Sequence, residues 1–91
     1  MQLNVTRGPA GTGKTIRLRK KARAAGLEMS EIISANGVNN LTLELLIRNQ
    51  ASKGVKVICI DECREQQIDH LKRIKGDLPK DLKIHAVVAP W

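Results

Sequence analysis

The sequence predicts an α/β fold, a three-layer sandwich built on a small, mostly parallel sheet of four strands. Three observations carry this. Apolar residues alternate between strand-like and helix-like runs along all 91 residues, the pattern of strand–helix–strand units. Val55-Lys56-Val57-Ile58-Cys59-Ile60 is rich in β-branched residues and reads as a buried strand. The glycine-rich Gly8-Pro9-Ala10-Gly11-Thr12-Gly13-Lys14-Thr15 stands between a strand-like run and a helix-like run.

The elements follow in order. Residues 2–7 alternate polar and apolar and form the first strand. Residues 13–25, rich in Arg, Lys and Ala, form the first helix, with Leu18, Ala22 and Ala25 on one face and Gly26 at its end. Residues 31–35 are a short second strand, ended by Asn36-Gly37. Asn39 or Asn40 caps a second helix over 40–52, ended by Lys53-Gly54. Leu43, Leu46 and Ile47 make one apolar face of it and Leu41 and Leu45 another, so the helix is either sandwiched or offered to a protein partner. The strand 55–60 is third. A helix over 63–75 carries Ile68, Leu71 and Ile74 three residues apart, and Gly76-Asp77-Leu78-Pro79 breaks it. Residues 82–89 are the fourth strand.

Composition bounds the chemistry. The length fits one domain, 1–91. With one Trp and no Tyr or Phe, the core must be built of Leu, Ile, Val and Ala. No apolar run is long enough to span a membrane, and no signal-peptide pattern opens the chain. Cys59 and Cys63 then read as reduced thiols of a cytoplasmic protein, and no Cys/His spacing resembles a zinc site. The net charge of +7 suits an anionic partner, nucleic acid foremost. Arg17, Arg19, Lys20, Lys21 and Arg23 share the first helix, either as a solvated face or as a binding patch.

Gly8 to Thr15 satisfies the full G-x-x-x-x-G-K-[ST] pattern, the Walker A phosphate-binding loop, against which stands a plain glycine-rich turn. The chemistry follows from the residue types. Gly8, Gly11 and Gly13 let the backbone curl with its N–H groups turned toward anionic oxygens, while Pro9 and Thr12 shape the loop. The positive end of the following helix adds to the field. Lys14 is a mobile charge for the β- and γ-phosphates, and the Thr15 hydroxyl is a ligand for Mg²⁺. The expected nucleotide contacts are therefore Gly8, Pro9, Ala10, Gly11, Thr12, Gly13, Lys14, Thr15 and Ile16. A second carboxylate region should complement them. Asp61-Glu62 ends the clearest strand, as in a Walker B motif; Asp61 would hold Mg²⁺ through water and Glu62 would act as general base. The competing reading is an acidic first turn of the third helix.

With both motifs in hand, the chain resembles the P-loop NTPase superfamily, and most closely the branch with a catalytic glutamate that includes AAA+ ATPases, RecA-like proteins and helicases. The resemblance implies a P-loop NTPase-like fold with strand order 1-4-3-2, and Mg²⁺-dependent ATP binding and hydrolysis with Lys14 and Glu62 catalytic and Thr15 and Asp61 at the metal. Three departures stand out. The fourth strand lacks the polar residue that this branch carries at its end, His85 lying earlier, so hydrolysis should be slow. No fifth strand follows, which leaves the first strand at a sheet edge, to be covered by a partner or by Trp91 and the tail. No lid segment follows either, so base selectivity should be weak, and an arginine finger would have to act between subunits, with Arg64 a candidate. ATP is favoured over GTP because no Asn-Lys-x-Asp motif occurs. The leading reading is a small ATPase, an accessory factor in DNA transactions such as those of phages. The alternative is a non-catalytic module that binds nucleotide or nucleic acid, and a small-molecule kinase ranks below both.

Overall fold

The computed structural model describes residues 1–7, 14–27 and 31–89, with the backbone alone for Lys14 and Thr15. The elements are β1 (Gln2–Thr6), α1 (Lys14–Ala24), β2 (Ile33–Ser34), α2 (Asn40–Ser52), β3 (Val57–Cys63), α3 (Glu65–Ile74), a 3₁₀ turn (Lys75–Asp77) and β4 (Lys83–Val88). The strands pair in the order β1-β4-β3-β2, all parallel.

Strand alternation divides the core into two layers. Ile58, Ile60, Ile84, Ala86 and Val88 turn one way and pack with Leu43 and Ile47 of α2 and Ile68, Leu71 and Ile74 of α3. Cys59 and Val87 turn the other way and meet Leu18 and Ala22 of α1. Among the described residues, helices therefore cover both faces, α1 on one and α2 with α3 on the other. The outer edge of β1 has no strand beside it among the described residues.

Helix ends follow local chemistry. Asn39 is the N-cap of α2, its side-chain oxygen accepting the Thr42 N–H at 2.8 Å. Gly26 and Gly54, at φ +81° and +88°, reverse the chain after α1 and α2. In each case the next residue donates back five positions, Leu27 to Ala22 and Val55 to Gln50, which closes the helix with a Schellman motif.

Several boundaries depart from expectation. Ala25 is exposed, because α1 ends at Ala24. The second strand shrinks to two residues. The third begins at Val57 rather than Val55 and continues past Ile60 to Cys63, so α3 starts at Glu65. A bulge between Ile60 and Cys63 extends it: the register breaks, then resumes with Cys63 opposite Val88, and the Ala89 N–H donates to Cys63 O at 2.8 Å. On α2, Leu43 and Ile47 are buried, but Leu46 is 38% exposed, with Leu41 and Leu45 at 66% and 59%. The helix is not sandwiched.

Three carboxyls sit in surface pairs that hold them below their ordinary values: Glu44 by Arg48 and then His70, Glu65 by Arg7, and Asp81 by Lys56. A depressed native value means that the unfolded chain binds protons more readily. These pairs thus stabilise the fold above the ordinary carboxylate range and lose that contribution as pH falls through it. Urea unfolding at descending pH should show stability declining from about the ordinary glutamate value of 4.5 downward. The decline should be modest, since the Glu65 and Asp81 pairs are exposed and contribute little, which leaves the part-buried Glu44 as the main source.

Candidate nucleotide site

In a parallel sheet with crossover helices, ligands gather at the carboxyl ends of the strands. Asp61 and Glu62 lie there, at the end of β3. Asp61 follows Cys59 by two positions and so belongs to the α1 face of the sheet. Both residues are strand residues, not the first turn of α3. Ser34, the last residue of β2, pairs in register with Asp61, and the Ala35 N–H donates to Asp61 O at 2.9 Å.

Glu62 has φ +57°, and it is the one non-glycine residue at positive φ among the described residues. A side chain in the left-handed region costs about 1–2 kcal/mol. Two contacts hold it there. The Asp61 carboxylate accepts the Glu62 N–H at 2.9 Å, and the Ser34 hydroxyl donates to Glu62 Oε2 at 3.2 Å. A strained residue, held by its neighbours and carrying a half-exposed carboxylate at a strand end, marks a place to look for function.

The scaffold behind this corner is polar and centres on one buried, hydrogen-bonded side chain. Gln67, in the first turn of α3, is 2% exposed. Its Nε2 donates to Ala35 O at 3.0 Å and Val38 O at 2.7 Å, and its Oε1 accepts the Arg64 N–H at 2.7 Å. It thereby fixes the turn after β2 against the start of α3. Nearby, Arg7 makes a forked pair with Glu65, Nε to Oε2 at 2.8 Å and a terminal nitrogen to Oε1 at 2.9 Å. This ties the end of β1, the residue before Gly8, to the start of α3.

Lys14 and Thr15 are the first two residues of α1, and Ile16 is 59% exposed. Helix α1 packs on the face of the sheet to which Asp61 belongs. Gly8, Pro9, Ala10, Gly11, Thr12 and Gly13 lie outside the described residues, as does Trp91. Among the described residues no three His, Cys, Asp or Glu side chains converge on a metal site. His85 is mid-strand, in register with Asn4 and Cys59, rather than at the end of β4. Arg64 is exposed and borders a shallow cavity of about 260 Å³ with Gly37, Val38, Asn39 and Gln66. Both cysteines are free and buried. Burial, then the Asp61 charge, pushes the Cys63 thiol up to about 12, and burial raises Cys59 as well, so neither is a nucleophile at neutral pH.

Ser34, Gln67 and the Arg7–Glu65 pair were not read from the sequence. Gln67 had a signal, since a Gln three residues past a helix cap is half of a capping box. Ser34 and Arg7 had none.

No family model, characterised protein or solved structure matches this chain. Fold and site define an α/β domain with a four-stranded, all-parallel sheet whose carboxyl edge carries a constrained acidic pair. No described helix is long and apolar enough to cross a membrane.

Proposed function

We propose that this chain binds ATP with Mg²⁺ and hydrolyses it slowly, as a nucleoside-triphosphate phosphohydrolase. The observation that carries the reading is Glu62, held in a left-handed conformation beside Asp61 at the carboxyl end of β3, in a sheet whose first strand leads into Gly8–Thr15. The donor set suits Mg²⁺. The Thr15 hydroxyl and the Asp61 carboxylate are hard oxygen ligands, and a cation that keeps its waters and the nucleotide phosphates needs no cage of protein side chains. When bound, Mg²⁺ supplies charge neutralisation across the β- and γ-phosphates.

The residues divide the work. The backbone of Gly8–Gly13 and the start of α1 bind the phosphates, and Lys14 neutralises the oxygens that gain charge. Glu62 accepts a proton from the water that attacks the γ-phosphorus, as the bond to the bridging oxygen of the leaving ADP breaks. Ser34 is a positioning residue for that carboxylate. The end of β4 offers no polar side chain beside the γ-phosphate, which favours slow turnover. The excess of positive charge makes nucleic acid the working partner, and a second copy or another protein could complete the site.

Lys14→Ala tests the binding half. It should weaken ATP affinity at least about tenfold, since a charge-assisted phosphate contact is worth roughly 1.5–3 kcal/mol. Titration with a fluorescent ATP analogue reads this directly, and unchanged affinity would remove the phosphate-loop reading.

A further inference from the structure

We infer that the α1 face of the sheet is a docking surface for the phosphate backbone of double-stranded nucleic acid. The inference rests on the nucleic-acid half of the proposed function and does not require hydrolysis.

Helix α1 carries charge of one sign. Arg17, Arg19, Lys20, Lys21 and Arg23 are all exposed on α1. At 100° per residue they fan around the whole helix surface left free by Leu18 and Ala22. The helix has no acidic residue, and none of these five cations joins an ion pair among the described residues. Elsewhere acids stand among the cations: Arg7 pairs with Glu65, Arg48 with Glu44 and Lys56 with Asp81, although Lys53, Arg64, Lys72, Arg73, Lys75 and Lys80 join no ion pair among the described residues either. Five like charges within three helical turns repel one another, and the arrangement suits a partner that neutralises them.

The basic surface continues onto the sheet. Lys83 lies in β4 on the same face, with the exposed polar side chains of Gln2 and Asn4 in the neighbouring strand β1. His85 reports the field here. Its imidazole is held below its ordinary value by burial first, and then by Lys21 and Lys83.

The form of the partner follows from what this face lacks. An amphipathic helix enters a lipid surface by its apolar side, but the apolar side of α1 is buried against β3 and β4. Among the helix residues described, Ile16 is the one large exposed hydrophobe, too little to anchor an acidic protein. Single strands are gripped by aromatic stacking, and the described face has no aromatic ring but His85. Repeated phosphates on a duplex backbone need only cations and hydrogen-bond donors, which this face supplies. Binding should therefore be indifferent to sequence and steeply dependent on salt.

The test is fluorescence anisotropy with a short labelled DNA duplex of arbitrary sequence, without nucleotide, across a series of salt concentrations. The wild-type chain should bind with a log–log salt slope of about −4 to −5 if most of the five cations meet phosphates. Arg19→Gln/Lys20→Gln/Arg23→Gln should make the slope shallower by about 2 to 3 and weaken binding on the order of a hundredfold at 0.1 M salt. A second readout locates the contact. In NMR titrations the imidazole value of His85 should rise on adding duplex, because phosphates offset Lys21 and Lys83. The ring-proton chemical shifts of His70, which is bonded to Glu44 on the opposite layer, should stay in place at constant pH. No duplex binding, an unchanged slope in the triple variant, a stationary His85, or preference for phosphatidylserine vesicles or polyglutamate would each overturn the inference. Duplex binding by a chain that fails to bind ATP would sustain it while removing the ATPase reading.

Discussion

Glu62→Gln should lower phosphate release by about a hundredfold to ten-thousandfold, the usual contribution of a positioned general base, while leaving ATP affinity within a few-fold of wild type. The argument rests on geometry. Gln keeps the shape and the Ser34 hydrogen bond, because its amide oxygen still accepts, but it cannot take the proton of the attacking water. Ser34→Ala should then act more weakly, lowering turnover several-fold through loss of the 3.2 Å contact that aims the carboxylate. A Gln variant that hydrolyses ATP at the wild-type rate would show that Glu62 is not the base.

The same residue yields a stability test that is independent of nucleotide. At φ +57° the backbone of Glu62 suits glycine and strains any other side chain. Glu62→Ala and Glu62→Gly both remove the carboxylate, yet the Gly variant should be the more stable of the two by about 1 kcal/mol. That reverses the ordinary order, in which Gly is the poorer residue inside an element. Urea midpoints of the two variants decide it. If Ala proves the more stable, the left-handed conformation is not what Glu62 adopts.

Sequence and structure agree most where periodicity and burial act together. The helix over 40–52 was legible because Leu43 and Ile47 fall on one face and Asn39 has the chemistry of a cap. The spacing of Ile68, Leu71 and Ile74 likewise marked the buried stripe of α3. The bulge at Glu62 was not legible. The run of β-branched residues ends at Ile60, and nothing in Asp61-Glu62-Cys63 says that the strand resumes after an irregular step. That step depends on a tertiary event, the pairing of Cys63 with Val88. Ala25 departs for a related reason: the helical wheel places it with Leu18 and Ala22, but the Gly26 reversal takes it out of the helix. The acidic pair could be found in the sequence because its residue types are chemical. The Ser34 and Gln67 contacts could not, because they join β2 to β3 and the turn after β2 to α3, segments some thirty residues apart.

Gln67→Met should have the largest effect on folding of any single polar substitution at this corner. Met matches Gln in length and fills the same space, so the change isolates the hydrogen bonds from the packing. Three backbone groups lose a bond: the carbonyl of Val38, the N–H of Arg64, and the carbonyl of Ala35, which keeps the Val38 N–H at 3.2 Å. Burying one unsatisfied group costs about 1–3 kcal/mol, and partial access of water to two of them brings the total to about 2–4 kcal/mol. A chain of this length has roughly 5–14 kcal/mol of stability, so the melting temperature should fall by about 10–25 °C. Gln67→Glu discriminates further. Its carboxylate can still accept from Arg64, but at neutral pH it faces two carbonyl oxygens with no proton to offer. Burial and those oxygens raise its native pKa above the unfolded value, so this variant should gain stability as pH falls and lose it as pH rises. Wild type, whose paired carboxyls are depressed, should show the opposite slope over the same acid range. Differential scanning calorimetry of the three proteins from pH 7 to pH 4 reads both effects. A Met variant as stable as wild type, or a Glu variant whose stability falls on acidification, would show that Gln67 does not clamp the turn behind Ser34 and Glu62.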